Sequence, residues 1–106
     1  SDGVRARVVE FTPEMFRERM GTSFHVEAGD GRIALRLVEV SDERTSGRFR
    51  AFSILFLGPA DRALGQGLYE LHHDSLEPLA IFIVPVIGSG PDGMIYEACF
   101  NRPVAP

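Results

Sequence analysis

Apolar and polar residues alternate along most of this chain, in short runs parted by Gly, Pro and Asp. "SFHVEA" alternates from Phe24 through Val26 to Ala28 and stops at Gly29-Asp30-Gly31, the signal of a hairpin. "IALRLVEV" holds Ile33, Leu35 and Leu37 in phase, then passes the apolar positions to Val38 and Val40. Such a slip predicts a bulge, or a strand that bends from one packing layer to another. "DERTSG" predicts a turn, and "RFRAFSILFLGP" returns with Phe52, Ile54 and Phe56 in phase. Leu55 and Leu57 make its end apolar on both faces, which predicts a central strand. After the loop "GPADRALGQG", "LYELHH" reads as a strand with Tyr69, Leu71 and His73 on one face and Glu70 and His72 on the other. "DSLEP" turns, "LAIFIVPV" runs back, and "MIYEACFN" closes with Met94, Tyr96, Ala98 and Phe100 in phase. "VRARVVEF" at the start predicts an added edge strand.

One segment has helical character instead. In "FTPEMFRERMG", Thr12 is placed as N-cap, Pro13 as first helical residue, Glu14 as dipole partner and Gly21 as C-terminal stop. Phe11 and Phe16 stand where a hydrophobic staple would put them, and Met15, Phe16 and Met20 form an apolar stripe expected to face the core. A helix of about two turns is not stable alone, so it must dock on the sheet. The expected fold is mainly β: a small antiparallel meander barrel, or a strongly curved six- to seven-stranded sheet, with one short N-terminal helix covering an end. Residues 1–106 are read as a single domain.

Composition narrows the function classes. The 106 residues are 44% hydrophobic and 25% charged, ordinary for a globular chain. The longest apolar run, Leu79 to Ile87, falls well short of the roughly 20 residues a membrane helix needs. "SDGVRARVVEF" has no signal-peptide core, so the expectation is a cytoplasmic location without a membrane. The net charge of −4 and pI near 5.3 argue against a nucleic-acid partner. Arg36, Arg48 and Arg50 fall in neighbouring predicted strands, but a solvated strand face is the expected reading. Every basic residue is Arg; without Lys there is no Schiff-base lysine and no phosphate-loop lysine. The single Cys99 excludes an internal disulfide and a cysteine metal cluster, and is expected to be a buried, inert thiol.

Three motifs invite chemistry. Gly88-Ser89-Gly90-Pro91-Asp92-Gly93 matches the G-x-G-x-x-G of dinucleotide-binding turns. That turn must open a helix and be followed some 20 residues on by an acid. Here a period-2 segment follows and ends in Pro103, so no cofactor site is expected and Pro91-Asp92-Gly93 is read as a turn. "ELHHDS" places Glu70, His72 and Asp74 on one strand face, and His25 could join them only if its strand pairs alongside. His72, Asp74 and His25 are thus weak metal candidates; a polar strand end entering a turn is the preferred account. Ser53, Ser75, Ser89 and Cys99 are the nucleophiles considered, without a Gly-x-Ser-x-Gly elbow, and no catalytic residue is assigned.

The segments Phe52 to Pro59, Gly67 to His73, Ile81 to Val86 and Asp92 to Asn101 together resemble a small bacterial family with no assigned function. Its pattern is Phe-Ser-(Leu/Ile)-Leu-Phe-x-Gly-Pro, Gly-x-Tyr-x-Leu-x-His, Leu-Phe-x-Val-Pro-Val and Asp-Gly-x-x-Tyr-Glu-Ala-x-Phe-Asn. The helix and "GTSFHV" resemble its opening. Genes of that family often lie near those of phage-tail-collar-like proteins, which implies an accessory or structural role and names no catalytic residue. The shared Phe52, Phe56, Tyr69, Phe82 and Phe100 read as core. The expected function is a non-enzymatic interaction or assembly module, binding a protein partner or itself. The rival is a small-ligand-binding barrel, and an enzyme comes third. The candidate interaction loops are those at the sheet ends, with Gly58, Pro59, Asp61, Arg62, Gly88, Ser89, Gly90 and Asp92.

Overall fold

The computed structural model describes residues 10–29, 31–86, 90 and 92–104. The predicted edge strand "VRARVVEF" lies almost wholly outside them, as do Asp30, Gly88, Ser89 and Pro91.

The chain opens with helix α1 (Pro13–Arg17), and its start follows from local chemistry. The Thr12 hydroxyl accepts from the Met15 N–H at 3.2 Å, and Pro13 occupies a position whose N–H needs no partner. Gly21, at φ +82°, ends the turn that follows and lets the chain reverse into the sheet. The regular helix is five residues, shorter than the expected two turns, so Met20 falls in the turn beyond it and is exposed while Met15 and Phe16 face the core.

Seven strands follow: β1 (Ser23–Ala28), β2 (Gly31–Val40), β3 (Arg44–Ser46), β4 (Phe49–Gly58), β5 (Gly67–His73), β6 (Leu76–Pro85) and β7 (Met94–Pro103). All their pairings are antiparallel. Their order is β2-β1-β5-β6-β7-β4, and β4 pairs back to β2, closing a six-stranded barrel. The slip in "IALRLVEV" is a bulge between Leu37 and Glu39 on β2. Beyond it, "DERTSG" is more than the turn expected: Arg44–Ser46 pairs with Ala51–Phe49 as β3, a seventh strand that continues the line of β2 along β4. As expected, β4 is central, with β7 on one edge and β2 and β3 on the other.

Alternation sends one row of each strand into the barrel. Phe24, Leu35, Leu37, Ile54, Phe56, Leu71, Ile83 and Tyr96 are wholly buried, together with Phe16 from α1. Each such side chain contributes about 1.5–3 kcal/mol through burial, and together they form one core cluster inside the barrel. Phe82 is the exception to the expected core. On β6 the inward row is Leu79, Ile81 and Ile83, which leaves Phe82 on the outer face at 49% exposure.

Helix α1 covers one rim of the barrel. The Phe16 ring meets those of Phe24, Phe52 and Phe100, and Phe11 packs tilted against Phe100 with centroids 4.8 Å apart. Arg19, just past the helix, donates to the Ser75 hydroxyl in the β5–β6 turn at 2.9 Å. The helix segment therefore reaches from β7 across to the far hairpin.

Candidate functional site

The barrel is unevenly sewn. β7 pairs with β4 along its whole length, Met94 to Pro103, but with β6 only through Glu97 and Tyr96. The Val86 N–H donates to the Ile95 carbonyl, so Ile95 and Glu97 direct their peptide groups toward β6. Peptide direction alternates along an antiparallel strand, so Cys99 and Asn101 direct theirs the same way. Among the described residues no strand pairs with β7 there. Pro103 fits this parity: its missing N–H would have faced the open side, which is where a strand tolerates proline.

Two hollows border this open edge, one on each face of the ribbon formed by β3, β4 and β7. The inner one is about 490 Å³, floored by Phe11, Phe52 and Phe100 and rimmed by Glu10, Arg50 and Arg102. The outer one is about 470 Å³ and takes in Ser41, Arg44, Ala51 and Ser53. Both reach Cys99 and Asn101.

The rim carries a compact charge cluster. Arg50 and Arg102 stand directly opposite one another across β4 and β7, an arrangement that repels unless anions intervene. Glu43 supplies one, 3.2 Å from Arg102 Nη2 and 3.9 Å from Arg50 Nη1. Glu10, arriving from outside the sheet, binds Arg102 Nη1. Hydrogen bonds to these two carboxylates raise the Arg102 pKa further, making it a fixed cation. Its Nε is buried, without a hydrogen-bond partner among the described residues.

Cys99 differs from expectation: its side chain is exposed on the outer face, because Ala98 and Phe100 take the inward positions. Desolvation by the surrounding strands and the charge of Glu97 raise the thiol pKa, so it remains protonated at neutral pH.

The sequence candidates are dispersed. His25 and His72 do face one another across β1 and β5, but His72 Nε2 contacts Glu70 at 3.2 Å and Asp74 is exposed in the turn beyond. Among the described residues no three His, Cys, Asp or Glu side chains converge as metal ligands. His73 points inward against Phe24. Its Nδ1 accepts from the Ser75 N–H at 3.1 Å, and its Nε2 lies 2.8 Å from the Thr22 hydroxyl, which donates to the Arg19 carbonyl. This arrangement holds a neutral imidazole with its proton on Nε2. Burial first, then Arg19 and His25, lower the His73 pKa, while Asp74 opposes them.

Gly58 lies buried at the end of β4, Pro59 follows half-buried, and Asp61 and Arg62 are exposed in the 59–66 loop. Arg62 reaches back to the Ala28 carbonyl at 3.3 Å. Gly90 and Asp92 are exposed, and the Gly93 N–H closes the turn onto the Gly90 carbonyl at 3.1 Å. β7 follows directly, so the glycine pattern opens a strand and lacks the helix a pyrophosphate site requires. Arg36 lies opposite Leu57, about 23 Å along β4 from Arg50, so Arg36, Arg48 and Arg50 form no patch.

The β7 edge escaped the sequence reading. Phe100 and Arg102 read as an ordinary strand end, and only Pro103 within that strand signals an edge. Among the described residues no helix is long and apolar enough to cross a membrane. Residues 11–100 match the model of a family described as a domain of unknown function, DUF6916. No curated protein and no solved structure matches the chain.

Proposed function

The chain belongs to the DUF6916 family of unknown function, and from its own geometry we propose a non-enzymatic interaction module that binds a polypeptide strand at the open edge of β7. The observation that carries this reading is the run of peptide groups at Cys99 and Asn101, unpaired among the described residues, above a floor of three phenylalanines. Exposed strand edges template pairing with another chain, and edges that serve in recognition are flanked by side-chain pockets. The finer role, assembly within a tail-like or fibre system, has only the family resemblance behind it. The inward side chains are large and wholly buried, which weighs against a ligand inside the barrel.

The test compares the tagged protein with its Asn101→Pro variant in capture from host lysate. Proline there removes only an outward N–H, so the ladder to β4 survives. Capture by the wild type that the variant loses at an unchanged Tm supports the edge. The outer face of the β5–β6 hairpin also exposes Leu68, Phe82 and Val84. Capture unaffected by Asn101→Pro but abolished by Leu68→Glu would move the site to that face. A small molecule released from the purified protein, seen by native mass spectrometry, would favour the small-ligand reading.

A further inference from the structure

Resting on that reading, the geometry points to the chemistry of the strand: we propose that the β7 edge takes an extended acidic peptide, added antiparallel, with an acidic residue two positions before an aromatic one. Cys99 and Asn101 offer peptide groups on alternate residues, the requirement for adding a strand. Every pairing in the barrel is antiparallel, and the added strand continues that pattern. Its side chain opposite Phe100 then falls over the hollow floored by Phe11, Phe52 and Phe100. The residue opposite Arg102 precedes it by two and lies on the same face.

Charge selects what stands at that earlier position. Arg102 already holds a carboxylate from outside the sheet, that of Glu10, which shows the guanidinium to be within reach of a segment crossing the groove. Arg50 stands opposite, its one ion pair among the described residues the 3.9 Å contact to Glu43. The same ribbon carries exposed Arg44 and Arg48, neither in an ion pair among the described residues. An acidic peptide meets the Arg50 and Arg102 guanidiniums beside Glu10 and Glu43, within a protein of net charge −4, so specificity comes from the local field.

The capped hexapeptide Thr-Glu-Thr-Phe-Thr-Val places Glu over Arg102, Phe over Phe100 and Val over Ala98. Amide chemical-shift titration of the full chain measures its binding against versions with Gln or Lys in place of Glu. The expected result is saturable binding with shifts at Cys99, Asn101 and Arg102, weakened about tenfold by Gln and further by Lys, as for loss of a charge-assisted hydrogen bond. Glu10→Gln should strengthen binding of the Glu peptide by removing the competing carboxylate, and Arg50→Gln should narrow the gap between Glu and Gln peptides. Asn101→Pro should abolish binding of all three.

Equal binding of the three peptides, still lost in Asn101→Pro, would overturn the charge selection and leave the strand-binding edge standing. No binding of the Glu peptide would overturn the proposed chemistry, while the edge itself would still be decided by Asn101→Pro in the lysate comparison. Shifts confined to other strands, binding seen only once residues 1–9 are deleted, or a homodimer that the peptide dissociates would each overturn the proposal. The last two outcomes would assign the groove to the chain's own N-terminal segment or to a second copy.

Discussion

The phenol oxygen of Tyr96 accepts a hydrogen bond from the Leu64 backbone N–H at 2.8 Å, in the barrel interior and across 32 residues of sequence. Tyr69 holds the same loop from the exposed side, donating to the Gly65 carbonyl at 2.7 Å. The two tyrosines thus fasten residues 59–66 over one end of the barrel, and they differ in what their loss leaves behind.

Tyr96→Phe strands a buried N–H, and should cost about 1–3 kcal/mol. For a domain of this size that is a Tm lowered by roughly 5–15 °C. Tyr69→Phe frees a carbonyl that water can reach and should cost about 1 kcal/mol or less. Thermal melts of both variants check the difference; equal losses would show that the loop needs neither bond in particular.

Gly93 is required by space as well as by conformation. Its φ is +145°, and a Cβ there would lie 2.4 Å from the Gly58 carbonyl oxygen and 2.8 Å from Leu57 Cδ1. Backbone cannot yield as a flexible side chain can, so Gly93→Ala should destabilise by about 3 kcal/mol or more. Gly90 has nothing within 4 Å of a built Cβ, and Gly90→Ala should lie within about 0.5 kcal/mol of wild type. Chemical denaturation of the pair separates a structural turn from a phosphate cradle, in which both glycines would matter for a ligand and neither for folding.

Phe16 and Phe82 test which side of the wall each ring occupies. Phe16→Ala should cost about 3–5 kcal/mol, since a wholly buried ring leaves a cavity among Phe24, Phe52 and Phe100. Phe82→Ala, on the outer face, should change stability by about 0.5 kcal/mol or less. A large loss at Phe82 would contradict the alternation assigned to β6.

The His73 pKa is lowered in the folded barrel, chiefly by burial. The unfolded chain therefore binds the proton more readily than the folded one. The stability tied to the neutral ring is complete above the ordinary histidine value near 6.5, and is lost as pH falls from there through the lowered folded value. His73→Gln should flatten Tm against pH between about 7 and 5. An unchanged slope would show that the His73 ring does not set that dependence.

Much of this fold is legible in the sequence where neighbouring residues decide it. Thr12, Pro13 and Gly21 mark α1 through bonds and angles they make locally. The inward rows of β2 and β4 follow from Ile33, Leu35 and Leu37 and from Phe52, Ile54 and Phe56 recurring in phase, and even the bulge at Leu37 shows as a change of phase. β6 is different: Ala80, Phe82 and Val84 are as apolar as Leu79, Ile81 and Ile83, so the pattern cannot say which row faces in. Ring closure between β2 and β4, and the early parting of β7 from β6, depend on residues far apart in sequence. The open edge carries no local signature beyond Pro103, because an unpaired peptide group has the same side chain as a paired one.

The hairpin of β5 and β6 is bound more tightly within itself than to anything else. Six residue pairs join its two strands, while two join it to β1 and two to β7. It is a shutter hung in a frame made of β1, β2, β4 and β7. Stability within a domain is spent unevenly, and weakly attached units open without global unfolding. Amide protons facing those short ladders, on His72 and Val84, should therefore exchange with solvent through the shutter's own excursions. Those on Phe52, Ile54 and Phe56 in the frame should wait for the whole barrel to come apart.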